Sequence, residues 1–461
     1  MLNSSADMSN TFKQLIILGG DTLGLYLALF LALTIRYQEN PWSKTWATHW
    51  PTFSLIFFLW LVIFYLSGLY DLRKAKNDLQ FFSSFLIGIG INLLLAIGYF
   101  YIVNLLNLSP KTILLLLIAV YLPIFVLWRL LVHSLLRSST FGARLLFLGL
   151  NKETRELISI FSKNPQLGYN AVAVVAEEQN QFINELPITV EKLTNFNGLL
   201  DYIKTNKIDT IVLSLANTDT RLNRLLYETI LSRVNIANIN TFYEMITHRV
   251  PLAALSETWF LENLKETRKN IYDKIKLATD FVLAAIMLAG FLIMLPAMAL
   301  IIYLGDRGPI FYRQTRVGRD GKIFTIWKFR TMKVGAENNG PRFATIGDSR
   351  VTTVGKILRL SRLDELPQAI NILKNEMSFI GPRPERPEFV SELQKLMPYY
   401  NARHLIKPGL TGWAQVNYNY TDSFEGNLMK LQFDLFYIKN RSLLVDAVTL
   451  LKTIKLIGAG R

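Results

Sequence analysis

The sequence contains no cysteine, which excludes disulfide scaffolds, zinc ribbons, iron–sulfur sites and cysteine nucleophiles. It has only four histidines, and they are widely separated: His49, His133, His248 and His404. We therefore expect neither a histidine-rich metal site nor a Ser-His-Asp triad. Charged residues are also scarce, at 18% of 461 residues against 51% hydrophobic residues. Such a composition excludes extensive disorder and indicates membrane segments, within a chain long enough for roughly three domains.

Four apolar runs occupy the first part of the chain, at about 14–35, 51–70, 81–105 and 112–136. Each approaches the roughly 20 residues that cross a hydrocarbon core, so residues 1–138 are predicted to form a four-helix transmembrane bundle. The first run fits a cleaved signal peptide poorly, because it is too long and no basic segment precedes it. Basic residues favour the second loop and the exit of the fourth run, which places both ends of the bundle in the cytoplasm. The residues of that second loop are Arg73, Lys74 and Lys76.

Residues 139–250 alternate between apolar strand patterns and helical patterns. Strands are predicted at 144–149, 171–176, 209–214 and 236–240, with one of the intervening helices at 190–205. This alternation predicts a parallel, doubly wound, Rossmann-like sheet. The first strand lacks the G-x-G-x-x-G pattern that lets a backbone approach a pyrophosphate, so we favour a structural or regulatory domain over a nucleotide site. Residues 251–272 are expected to form a linker and interfacial helix.

A fifth apolar segment runs without a charge from Phe281 to Gly305. Pro296 interrupts it, and basic residues flank it on both sides, among them Lys276 before it and Arg307 after it. A full crossing would place one basic cluster outside the cell. A re-entrant helix over 276–305 that breaks at Leu295-Pro296 keeps both clusters inside, and the alternative is a kinked fifth span.

The excess positive charge lies almost entirely in the last third of the chain. Residues 1–264 hold 20 basic and 18 acidic residues, whereas residues 265–461 hold 30 and 17. Such a balance beside a membrane suggests anionic lipid or a phosphate-bearing substrate, although a solvated cytoplasmic face is the simpler alternative. Nucleic acid is not expected, because no nucleic-acid fold signature accompanies the charge.

Asp364 and Glu365 form an adjacent carboxylate pair shortly before Pro367. Proline fits the first turn of a helix, so the pair is predicted at a helix N-terminus, which also attracts phosphate. A carboxylate can attack phosphorus, and carboxylates can share a divalent metal with substrate oxygens. Several cations occur in nearby motifs and would suit a diphosphate: Lys328, Arg330, Arg359 and Arg383. Taken alone, the acidic pair is more often a helix cap.

Five runs occur together in the last third of the chain: the apolar segment with its Leu-Pro break, 328–332 (Lys-Phe-Arg-Thr-Met), 363–368 (Leu-Asp-Glu-Leu-Pro-Gln), 381–384 (Gly-Pro-Arg-Pro) and 408–413 (Pro-Gly-Leu-Thr-Gly-Trp). With these runs, residues 270–461 resemble the bacterial sugar transferase family, the monotopic polyprenyl-phosphate hexose-1-phosphate transferases. The front of the chain resembles the large members of that family. One departure is an extra residue between Ser361 and Leu363. The resemblance implies a mainly α catalytic domain over 273–461.

The resemblance implies a two-step reaction. Asp364 would attack a UDP-hexose, release UMP and keep the phosphosugar until undecaprenyl phosphate accepts it, with glucose or galactose as the sugar. Glu365 would act as base or metal partner, and both acids would hold Mg²⁺. The remaining implied site residues bind phosphate or shape the nucleotide pocket: Lys328, Arg330, Arg359, Gln368, Pro382, Arg383 and Pro384. Asp434 falls where the family often has an acid, with no assigned role.

The same resemblance implies a multi-pass protein of the bacterial inner membrane whose catalytic domain faces the cytoplasm. It would start exopolysaccharide, capsule or O-antigen synthesis, contact inner-membrane lipid and, like many large members, associate as a homodimer. A membrane-bound nucleotide-sugar dehydratase shares the front half but needs the missing glycine fingerprint. A non-enzymatic scaffold or regulator of polysaccharide assembly is the other alternative, and it predicts that Asp364 is dispensable.

Overall fold

The computed structural model describes most of the chain, namely residues 5–38, 44–72, 78–102, 110–137, 142–177, 179–187, 189–194, 198–215, 220–231, 234–264, 269–336, 348–397, 399–418 and 423–458. The chain divides into two compact units, Met1–Ile246 and Thr247–Arg461. The domain boundaries expected after residues 138, 250 and 272 stay predictions.

Four long helices open the first unit: α1 (Ser5–Tyr37), α2 (Lys44–Leu66), α3 (Leu79–Ile102) and α4 (Pro110–Arg137). The prediction of apolar helices in this region is confirmed, since each contains a stretch long and apolar enough to cross a membrane. The basic residues that orient the predicted bundle, Arg73, Lys74 and Lys76, lie outside the described residues.

A fully buried ion pair joins the first and fourth of these helices. The Arg129 guanidinium donates to the Asp21 carboxylate at 2.6 Å, and neither side chain is exposed. The rings of Tyr70, Phe81 and Phe125 lie within 5.5 Å of the guanidinium carbon. A buried arginine surrounded by aromatic faces and one carboxylate is held in place by both contacts.

The loss of one partner of this pair is expected to destabilise the first unit. Arg129→Leu leaves the Asp21 carboxylate buried without its counter-charge, at a cost of about 3–5 kcal/mol. The double variant Asp21→Leu/Arg129→Leu should recover most of that loss, because it removes both charges together. The melting temperature in one detergent measures both effects. A double variant no more stable than Arg129→Leu would contradict this account.

The part of the first unit that follows the four long helices is an α/β domain. Its elements are β1 (Ala143–Leu148), α5 (Lys152–Lys163), β2 (Tyr169–Val175), β3 (Glu191–Leu193), α6 (Leu199–Thr205), β4 (Thr210–Leu213), α7 (Thr220–Leu231), β5 (Asn235–Asn238) and α8 (Ile239–Thr247). The strands form one sheet in the order β3-β2-β1-β4-β5, and every pair is parallel. The predicted parallel sheet is therefore confirmed.

Both faces of this sheet are buried, as parallel sheets require. On β1, Leu145 and Phe147 pack with α5 and α8, whereas Leu146 and Leu148 pack with α6 and α7. One local prediction was wrong, because the helix expected over 190–205 starts only at Leu199. Residues 191–193 instead pair with β2 as an edge strand.

The second unit contains α9 (Glu257–Asn263), α10 (Asn270–Asp306), β6 (Phe311–Val317), β7 (Ile323–Phe329), α11 (Thr353–Leu360), α12 (Ala369–Leu373), β8 (Ser378–Ile380), α13 (Pro387–Leu396), β9 (Gly409–Thr411), α14 (Trp413–Asn417), α15 (Phe424–Asn440) and α16 (Leu443–Gly458). Strands β6 and β7 form an antiparallel hairpin, and β8 pairs with β9 in parallel. This unit is mainly helical, as predicted.

Helix α10 is continuous from residue 270 to residue 306, with Pro296 inside it. Residues at helical spacing form one stripe that packs against β7, α11 and α12, namely Ala284, Leu288, Phe291, Leu295, Met298 and Ile302. Other large apolar side chains of α10 are exposed, including Leu292, Ile293 and Leu304. The helix therefore presents one face to its own unit and the others outward.

Candidate active site

The acidic pair lies in the first turn of a short 3₁₀ helix, Leu363–Gln368. The chain enters this helix through Arg362 in the left-handed region, at φ 57°. The sequence predicts this pair at the N-terminus of a helix, and the structure has it there, but the first turns are 3₁₀ rather than α. Pro367 lies inside the 3₁₀ turn, and α12 follows for only five residues. Asp364 and Glu365 are each only 6% exposed.

Asp364 and Glu365 border a cavity of about 380 Å³ between the β6–β7 hairpin, α11, the 3₁₀ turn and the start of α13. Four of the predicted cations also line it: Lys328, Arg330, Arg359 and Arg383. Gln368, Pro382, Pro384 and Asp434 are not among its lining residues. The structure thus brings together the charged residues that the sequence placed in separate motifs.

Glu365 is clamped between two cations. Its Oε1 accepts hydrogen bonds from Lys328 Nζ at 2.9 Å and from Arg383 Nη2 at 3.3 Å. Burial alone would raise its pKa, but Lys328, Arg383 and Arg362 outweigh burial and hold the pKa of Glu365 below its ordinary value. A carboxylate held ionised in this way is a weak base, so the arrangement favours a fixed anion that orients two cations.

The pKa of Asp364 is shifted in the opposite direction to that of Glu365. Burial raises its pKa, and the neighbouring Glu365 adds to the rise, while Lys328 opposes it. Its Oδ1 is buried and has no hydrogen-bond partner among the described residues. A buried carboxylate oxygen without a partner is costly, so such an atom usually serves a substrate or an ion.

Three further groups of the cavity come from β6. Tyr312, Gln314 and Arg316 alternate along the strand, so their side chains share one face. Gln314 donates to Tyr312 Oη at 2.8 Å, and Arg316 donates to Gln314. Sequence reasoning missed these residues, although polar side chains at every second position of residues 312–316 were a readable signal. It also missed Arg362, Arg386 and Phe389, which line the cavity from other elements.

The segment that carries Arg383, residues 381–385 (the Arg383 loop), packs directly on the backbone of the neighbouring 407–412 segment. Gly409 N donates to Pro382 O at 2.9 Å, and Gly381 N donates to Thr411 O at 2.9 Å. A Cβ built on Gly409 would lie 2.1 Å from Gly381 N, which is far too close for two atoms without a bond. The approach of the two segments therefore requires glycine.

Gly409→Ala is expected to separate these segments and lower the melting temperature of the second unit. Overpacking typically costs about 1–3 kcal/mol, and the clashing atoms here are backbone, which cannot rotate away. Gly290→Ala on α10 is a matched control, because nothing lies within 4 Å of its added Cβ. Differential scanning fluorimetry compares the two variants. An unchanged melting temperature for Gly409→Ala would contradict the steric argument.

Asp434, on α15, does not line the cavity but is connected to the Arg383 loop by hydrogen bonds through Arg403. Arg403 Nη2 donates to Asp434 Oδ2 at 2.8 Å and to the backbone carbonyl of Arg383 at 3.0 Å. Burial raises the pKa of Asp434 to about 6, against the opposing effect of Arg403. Gln368 is also buried away from the cavity, and its Nε2 has no partner among the described residues.

The donor set is compatible with one Mg²⁺ ion. The described residues contain no group of three Asp, Glu or His side chains that could hold a metal alone. Mg²⁺ in phosphate-transfer sites is usually bound by one or two carboxylates together with substrate phosphates. The unpartnered Asp364 Oδ1 beside Glu365 fits that pattern.

Long apolar helices and a buried carboxylate pair in a basic cavity define a membrane-associated protein suited to an anionic substrate. The chain belongs to the bacterial sugar transferase family, and the sequence model of that family matches residues 271–460. A second family model, described as a CoA-binding domain, matches residues 65–239.

Curated relatives support the assignment. The UDP-N-acetylgalactosamine-undecaprenyl-phosphate N-acetylgalactosaminephosphotransferase of Aeromonas hydrophila is 38% identical over 55% of this chain and 60% of the relative. The UDP-glucose:undecaprenyl-phosphate glucose-1-phosphate transferase of Escherichia coli is 33% identical over 63% of this chain and 62% of the relative. A protein of the same name from Caulobacter vibrioides is 40% identical over 39% of this chain and 68% of the relative. The chain thus matches less than two thirds of the length of the first two relatives.

Proposed function

We propose that this protein transfers a hexose-1-phosphate from a UDP-hexose to undecaprenyl phosphate and releases UMP. The observation that carries the proposal is the unpartnered, buried Oδ1 of Asp364 in a cavity lined by cations. Family membership and the undecaprenyl-phosphate acceptors in the names of its relatives support the same reaction. Glucose or galactose is the expected sugar, and the name of the Aeromonas relative adds N-acetylgalactosamine to the donors worth testing.

In the first step, Asp364 Oδ1 attacks the sugar-bearing phosphorus of the UDP-hexose. The new oxygen–phosphorus bond forms as the bond to the bridging oxygen breaks, and UMP leaves with that oxygen. In the second step, a phosphate oxygen of undecaprenyl phosphate attacks the same phosphorus. The Asp364–phosphorus bond breaks, the carboxylate is restored, and the lipid carries a diphosphate-linked sugar.

The surrounding residues have distinct tasks in this scheme. Arg359 and Arg383 offset the negative charge that builds on the phosphate oxygens. Glu365 keeps Lys328 and Arg383 oriented toward the phosphates, which the two hydrogen bonds at its Oε1 support. Mg²⁺, held by Asp364 and Glu365, would supply further neutralisation of the diphosphate when bound.

We propose that α10 enters the bilayer and returns, with its axis bent at Leu295-Pro296. Phe291 and Ile302, on opposite sides of this point, pack in the same cluster as Phe329 of β7 and Leu358 of α11. A crossing helix would draw these elements and their charged neighbours into hydrocarbon, which is costly. Re-entry keeps the cavity at the cytoplasmic surface, where nucleotide sugars are present. The four N-terminal helices would then span the inner membrane as a bundle, and the product would start a polysaccharide.

The test measures UMP release by the full-length protein in membrane extract, with undecaprenyl phosphate and Mg²⁺. The donors are UDP-glucose, UDP-galactose and UDP-N-acetylgalactosamine, and a parallel series contains EDTA. UMP release with one donor preferred, together with a sugar-bearing lipid product, supports the proposal and names the donor. A folded protein that releases no UMP from any donor contradicts it and favours the scaffold alternative.

A further inference from the structure

Arg403 is a buried side chain with three acceptors and no contact with the catalytic cavity. It lies on the 3₁₀ helix Tyr400–Leu405 and is 5% exposed. Its guanidinium donates to the Tyr400 hydroxyl, to Asp434 Oδ2 and to the backbone carbonyl of Arg383. A planar fork is needed to reach acceptors on three different elements at once.

The Arg383 loop is tethered through its successive backbone carbonyls. The donors are, in order, Gly409 N to Pro382 O at 2.9 Å, Arg403 Nη2 to Arg383 O at 3.0 Å, Arg316 Nη1 to Pro384 O at 3.0 Å, and Val317 N to Glu385 O at 3.0 Å. Prolines 382 and 384 restrict φ within the loop. Of these tethers, only that of Arg403 holds the peptide of the residue whose guanidinium enters the cavity.

Arg383 connects the tethered loop to the acidic pair through its side chain. Its Nη2 lies 3.3 Å from Glu365 Oε1, the oxygen that also binds Lys328. A shift of the Arg383 peptide would therefore move a cation that faces the donor phosphates. Asp434 supplies the counter-charge for Arg403 from α15, at 2.8 Å.

We propose that Arg403, held by Asp434, is a positioning residue that fixes Arg383 for binding of the donor diphosphate. The inference rests on the proposed function, because it concerns the same donor. It assigns a task to Asp434 as well, since a carboxylate outside the cavity then acts on the substrate through two arginines.

Arg403→Lys tests the proposal, because lysine keeps the charge beside Asp434 but cannot hold both acceptors in one plane. The expected result is a KM for the UDP-sugar raised roughly tenfold, the value of about one hydrogen bond, with a smaller change in kcat. Arg441→Lys is the control. Arg441 pairs with Asp273 at 3.0 Å, and neither residue lines the catalytic cavity, so its KM and kcat should equal those of the wild type.

A double variant separates positioning from a purely structural role. If Arg403 acts through Arg383, Arg403→Lys/Arg383→Ala has the same KM as Arg383→Ala alone. Effects on KM that multiply, or a lower melting temperature with an unchanged KM, overturn the proposal. If Arg403→Lys does not fold, Asp434→Asn takes its place in the cycle with the same expectations. A wild-type protein without UMP release contradicts the proposed function instead, so the two failures are distinguishable.

Discussion

Asp364→Asn is expected to reduce UMP release by at least about a thousandfold, because the amide cannot attack phosphorus. Among the described residues that line the cavity, no other carboxylate oxygen is buried without a hydrogen-bond partner. The fold should survive the change. Burial raises the pKa of Asp364, so its ionised form costs stability in the folded state, and asparagine removes that cost without changing the shape. The melting temperature at pH 8 should therefore not fall.

The measurement is a single turnover with sugar-labelled donor and no lipid acceptor. Wild-type protein should release UMP and retain the label covalently, whereas Asp364→Asn should do neither. Asp320→Asn is the matched control, because Asp320 is an exposed acid in the hairpin turn and asparagine tolerates its positive φ. Retention of the label by Asp364→Asn would show that another residue is the nucleophile.

The chemistry of the site was more predictable from sequence than its geometry. Asp364, Glu365 and the cations of the cavity occur in dense motifs, so the residue types of the site were readable from the sequence. Their actual contacts join residues up to 37 positions apart, such as Lys328 with Glu365, and no local spacing specifies such a pair. Arg403 was not predicted for the same reason, because two of its three acceptors lie 20 and 31 residues away in the sequence.

The predicted secondary structure agreed with the observed one where a strand is buried on both faces, because such a strand is a continuous apolar run. The central strands β1, β2 and β4 are apolar on both faces, and their prediction succeeded. Strand β3 is a three-residue edge with Glu191 and Lys192 exposed, so it has no hydrophobic signal. The 3₁₀ turn at Asp364 was missed because proline patterns mark the start of a helix without specifying its type.

Lys328→Met is expected to destabilise the second unit by about 3–5 kcal/mol, since it leaves the buried Glu365 carboxylate with only Arg383 as a hydrogen-bonded cation. The effect should depend on pH. Cations hold the pKa of Glu365 below its ordinary value, so its ionised form contributes stability that is lost as pH falls below about 4.5. Without Lys328 that pKa rises and the contribution at neutral pH shrinks. The difference in melting temperature between wild type and variant should narrow as the pH falls.

Lys328→Met should also shift the pH dependence of UMP release, because Lys328 affects the pKa of Asp364. Lys328 limits the rise in the pKa of Asp364, so its loss raises that pKa further and moves the acid limb of UMP release to higher pH. Lys374→Met serves as the control, because Lys374 is exposed at the end of α12 and should affect neither profile. A stability difference that stays constant with pH would mean that Lys328 acts by packing alone. An unmoved acid limb would mean that ionisation of Asp364 does not limit the reaction.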